Sequence, residues 1–152
     1  MILSCLIIAH LIGDFLLQPR KLVDWKIVSK WGTFAHVFIH AVVGFAILFP
    51  FLINGYYQLI YIILGVNFMH YWIDEAKINY ALTHDNKVKP FIIDQLLHFI
   101  VLAIAYLTIL NIEFTLPDTR FYEIYTAPKT ITLMLVVVLF ATVLNTMRFR
   151  KN

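Results

Sequence analysis

His70-Tyr71-Trp72-Ile73-Asp74-Glu75-Ala76-Lys77 closes an apolar run with a histidine and an aspartate four residues apart. At that spacing two side chains stand on one face of a helix. Asp94-Gln95-Leu96-Leu97-His98 repeats the arrangement early in the next apolar run, and His10 with Asp14 and His36 with His40 repeat it in the two before. An ionisable group inside an apolar helix costs about 2.5–3.5 kcal/mol on insertion scales and faces partners or an aqueous cavity. Four such pairs in four successive runs define an all-α bundle with a polar interior.

The composition places that bundle in a membrane. Of 152 residues, 61% are hydrophobic and 14% charged, and the mean hydropathy is +0.81, far above a soluble domain. One cysteine, Cys5, excludes an internal disulfide and a cysteine-based zinc knuckle. The pI near 9.0 would suggest nucleic acid in a soluble chain; here the basic residues read as topology signals, and no nucleic-acid partner is expected.

The reading is a polytopic bundle of about five spans, over 1–18, 33–53, 56–74, 90–112 and 129–147, making residues 1–152 a single transmembrane domain. Pro19 closes the first run, which lacks the basic leader and small-residue cleavage site of a signal peptide and is read as a retained span. Residues 20–31 mix Arg20, Lys21, Lys26 and Lys30 with Trp25, Ile27 and Trp31, as suits a segment in the headgroup zone. Asn54-Gly55 predicts a tight turn, Pro90 a first helical turn, and 75–89 and 113–128 polar links. With the N-terminus outside, the inner segments hold ten of the twelve basic residues: Arg20, Lys21, Lys26, Lys30, Lys77, Lys87, Lys89, Arg148, Arg150 and Lys151. The expected topology is N-out, C-in, in the cell inner (plasma) membrane.

That topology brings all four pairs to one depth, in the cytoplasmic half. Imidazoles and carboxylates projecting inward from several helices are how four-helix bundles hold metals. His10, His36, His40, His70, Asp74 and His98 are the expected ligands, Asp14 and Asp94 the expected catalytic bases, and Gln18, Gln95 and Lys77 the groups that orient them. A mixed nitrogen and oxygen set suits a divalent ion, zinc first and then manganese or iron. The fifth run offers only Thr130, Thr132, Thr142, Asn145 and Thr146, and is expected to be a packing helix. Gly13, Gly44 and Gly65 are expected to allow close helix approach, and His84 to be solvated.

Other readings of the same residues stay open at this point. A proton relay or ion path would also string histidines and carboxylates through membrane helices. Haem between two histidines wants apolar walls, which the neighbouring carboxylates oppose. A non-catalytic scaffold would use the polar groups only to knit helices together.

Ala9-His-Leu-Ile-Gly-Asp-Phe-Leu-Leu-Gln-Pro19, the His36 to His40 helix, the H-x-x-x-D-x-x-K element from His70 to Lys77 and the DQLLH element from Asp94 to His98 follow one another in order. In these elements, which span about the first 110 residues, the chain resembles the bacterial integral membrane family DUF3307. The resemblance implies a polytopic membrane fold and supplies no activity. A looser likeness joins the H-x-x-x-H and H-x-x-x-D elements to inner-membrane metal-dependent hydrolases. The resulting expectation is a metal-dependent hydrolase of a lipid or lipid-linked substrate, partnered by membrane lipids.

Overall fold

The computed structural model describes residues 1–84 and 88–149, with side chains described up to Leu144 except for Val88. Asp85, Lys87, Arg150 and Lys151 lie outside the described residues, as do the side chains of Asn145, Thr146 and Arg148. Among the described residues the regular structure is all helical. It comprises α1 (Ile2–Leu11), a π-helical turn (Ile12–Leu16), α2 (Arg20–Val28), α3 (Lys30–Leu52), α4 (Gln58–Thr83), α5 (Val88–Thr108), α6 (Arg120–Thr126) and α7 (Pro128–Phe149).

Apolar side chains of α1, α3, α4 and α5 form the core at one end of the bundle. Leu48 and Phe51 from the end of α3 and Leu59 from the start of α4 are fully buried, packed with Cys5, Leu6, Ile63 and Leu102. Pro50 is accommodated in the last turn of α3. Asn54 closes that end by donating from Nδ2 to the Pro50 carbonyl at 2.7 Å, and Gly55 takes a φ of +92° that a residue with a Cβ resists. The expected Asn54-Gly55 turn is therefore present, and it folds α4 back along α3. α7 packs on α1, with Val138, Ile131, Met134 and Leu135 against Ile8 and Leu11.

Several boundaries differ from the sequence reading, each for a local reason. The first run stops at Leu16, where Leu17 N–H bonds to the Ile12 carbonyl in the i→i−5 pattern of a π turn. α4 continues through nine residues expected in a polar link, because Glu75, Ala76 and Lys77 are good helix formers and no Gly or Pro interrupts them. The link at 113–128 contains α6, which Pro128 separates from α7. α5 ends at Thr108 rather than 112.

Among the described residues, α3 and the stretch Lys89–Thr108 are long and apolar enough to cross a membrane unaided. Two bent pairs raise the number to as many as four: α1 and its π turn with α2, bent by 88°, and α6 with α7, bent by 53°. Of the three glycines expected at close approaches, Gly13 is at one: a Cβ there would overlap the His40 ring. Gly44 meets Ile63 only in ordinary contact, and Gly65 faces open space. Gly13→Ala should therefore destabilise the bundle by about 1–3 kcal/mol, the usual cost of overpacking, while Gly65→Ala should not; thermal unfolding in detergent compares them.

Candidate metal centre

The last turn of α1, the π turn, the first half of α3, the middle of α4 and the start of α5 meet at the end of the bundle opposite its apolar core. They bring together every site residue expected from the sequence. Asp14, on the π turn, stands at the centre. His36 Nε2 and His40 Nε2 each lie 3.1 Å from its Oδ1, His70 Nε2 lies 3.6 Å from the same oxygen, and His10 Nε2 lies 3.6 Å from Oδ2. His36 Nε2 and His70 Nε2 are 3.2 Å apart. Potential ligand atoms of His10, Asp14, His40 and His70 all lie within 4.8 Å of one another, as do those of His36, His70 and Asp74, and those of Asp14, Asp94 and His98.

Burial sharpens the arrangement. His10, His36, His40, His70, Asp74, Asp94 and His98 are each at most 6% exposed. Carboxylates so placed require partners. Gln95 Nε2 donates to Asp14 Oδ2 and Asp94 Oδ2, both at 3.1 Å, and Gln18 Nε2 stands 3.3 Å from His36 Nε2. Lys77 Nζ donates to Asp94 Oδ2 at 2.8 Å and lies 3.2 Å from Asp74 Oδ1, tying α4 to α5. Lys26, from α2, donates to Asp74 Oδ2.

His98 shows which nitrogen is available. Its Nδ1 lies 2.8 Å from the Asp94 main-chain oxygen, which can only accept, so Nδ1 carries the proton and Nε2 presents a lone pair. That Nε2 is buried with no hydrogen-bond partner among the described residues, and the same is true of His10 Nε2 and Asp94 Oδ1. A donor or cation must satisfy such atoms. A basic nitrogen fixed by a main-chain bond at its other end is the arrangement found in metal-ligating histidines. The donor set therefore fits a divalent ion. His10, His40, His70 and His98 also line a cavity of about 30 Å³ together with Asn67, room for a single water.

The family model of DUF3307, described as a protein of unknown function, matches residues 2–127. The chain belongs to the DUF3307 family. The DUF3307 match runs past the roughly 110 residues that carry the resemblance, taking in the link and α6 and leaving α7 outside. No curated protein and no solved structure matches the chain. The looser likeness to metal-dependent hydrolases thus has no support from these comparisons.

One member of the cluster escaped the sequence reading, which gave Lys26 to the headgroup zone. It is 5% exposed, and its neighbour one turn earlier, Leu22, is the other buried residue of α2. The i, i+4 relation of Lys26 to an apolar residue was the available signal. His84, by contrast, is exposed and stacked on Tyr80, apart from the cluster.

Proposed function

We propose that this DUF3307 chain is a multi-pass membrane protein that holds one divalent ion and hydrolyses a lipid or lipid-linked substrate. The observation that carries this reading is the convergence of four imidazoles on Asp14. His10, Asp14, His40 and His70 supply three nitrogens and a carboxylate, a set suited to zinc first and to manganese or iron next. The position of Asp14 among the rings favours a ligand role over the base role expected for it. Asp94, whose Oδ1 has no hydrogen-bond partner among the described residues, is the better general base. Gln95 fixes both carboxylates, and Lys77 holds Asp94 in place.

Charge supports a single ion. Asp14, Asp74 and Asp94 oppose Lys26 and Lys77, leaving one negative charge uncompensated in a buried group. A bound divalent ion supplies Lewis acidity and brings the pKa of water towards about 7. The residues do the rest: Asp94 accepts the proton, and Lys77 neutralises charge beside it.

The membrane reading takes α1 with its π turn, α3, α4, α5 and α7 as five spans, N-out and C-in, in the inner membrane of a bacterium. α4 has 26 residues, about 39 Å of helix, enough to cross beside α3 despite its polar centre. α2, turned 88° from α1, suits a segment lying at the inner surface. A substrate from the lipid has an approach between α4 and α5, where a cavity of about 180 Å³ is walled by Ile73, Tyr80, Ile93 and Leu97 and reaches Lys77 and Asp94. Ion or proton transport is disfavoured by the close apolar packing of Leu48, Phe51, Leu59 and Ile63 at the opposite end.

Elemental analysis of the detergent-purified chain should find one ion per chain; a metal-free protein that also refuses added zinc, manganese and iron would overturn the reading. Gln95→Leu should weaken metal binding about 10–100-fold without abolishing it, as loss of a ligand-orienting group does. Release of product from phospholipid and acyl-ester panels in bicelles, lost on chelation and restored by metal, tests hydrolysis. Silence of both lipid classes with a metal-loaded protein would remove the hydrolase and leave the metal centre.

A further inference from the structure

His36, His70 and Asp74 form a second set of close potential ligand atoms, all buried, and Asp74 Oδ2 lies 3.5 Å from both His36 Nε2 and His70 Nε2. His70 can serve only one ion through Nε2. If it belongs to the first set, His36 and Asp74 remain, and Asp14 Oδ1, 3.1 Å from His36 Nε2, is a further oxygen beside that ring.

A cation already sits on this set. Lys26 reaches in from α2 and places its ammonium on Asp74 Oδ2, the oxygen that faces both rings. The helix that delivers it is otherwise an outer element, with Trp25, Ile27 and Val28 exposed and only Leu22 and Lys26 buried. With both lysines present a second divalent ion would take the buried group from one net positive charge to three, and without Lys26 from zero to two, so the ammonium adds to the cost of a second ion in a low dielectric.

Resting on the metal-centre reading above, we propose that Lys26 Nζ stands in for a second divalent ion: the natural chain holds one ion, and loss of this ammonium admits another between His36 and Asp74.

The test loads the full-length purified chain with manganese(II) alone and reads stoichiometry by elemental analysis and coupling by electron paramagnetic resonance. Wild type should saturate at one ion with an isolated-ion spectrum. Lys26→Met should rise to two ions per chain with the spectrum of an exchange-coupled pair, and Lys26→Met combined with Asp74→Asn should return to one. Lys26→Arg keeps the charge and should stay at one. Wild type binding two ions at saturation overturns the proposal without recourse to any variant, as does a folded Lys26→Met chain that stops at one. Wild type binding none removes the metal-centre reading itself, a distinguishable failure.

Discussion

Asp14→Asn is expected to abolish stable metal binding, the largest single-residue effect on the centre. The side chain is nearly isosteric, so the π turn and the packing of Gly13 on His40 are left intact. What changes is the charge and one acceptor oxygen at the point where His10, His36, His40 and His70 converge. Loss of an orienting group costs about 10–100-fold in affinity, and loss of the one carboxylate among four ligands should exceed about 100-fold. His70→Ala should behave alike, because His70 belongs to two of the three ligand sets, whereas His84→Ala, outside the cluster, should bind as wild type. Titration with a chromophoric chelator measures all three. Wild-type affinity in Asp14→Asn would sink the assignment.

The reason so much of the site was legible is the cost of polar groups in apolar helices. His10, Asp14, His36, His40, His70, Asp74, Asp94 and His98 stand out against Leu, Ile, Val and Phe, and the alternation of runs places them at one end of the bundle. Helical spacing then fixed which pairs share a face. Three features lay beyond that logic. The π turn depends on a bond from Leu17 to Ile12 that no residue pattern announces. The extension of α4 to Thr83 follows from its helix formers, but the pairing of Lys77 with Asp74 and Asp94 that ties it to α5 is a tertiary contact no spacing shows. Lys26 was hidden because basic residues near a span end ordinarily mark the membrane surface, and only the fold of α2 onto α3 carries it inward.

Those two lysines do different work, and Lys77 is the one that ties α4 to α5. Its ammonium is held between Asp94, 2.8 Å away on α5, and Asp74, 3.2 Å away on its own helix, and its side chain is 26% exposed while both carboxylates are at most 2% exposed. Lys77→Met keeps the apolar stem and removes the charge, leaving Asp94 with Gln95 as its nearest donor. Breaking a buried pair by deleting one partner costs about 3–5 kcal/mol, because the remaining charge stays desolvated. The expected result is a large drop in unfolding midpoint in detergent, with α5 loosening from α4 first. Adding Asp94→Asn removes the stranded charge and should recover a substantial part of the loss, the non-additivity that marks a direct interaction. Lys77→Met as stable as wild type, or no recovery in the double variant, would mean that the α4–α5 contact is held by its apolar residues, Ile73, Ile93 and Leu97, and that the ion pair contributes only charge balance to the site.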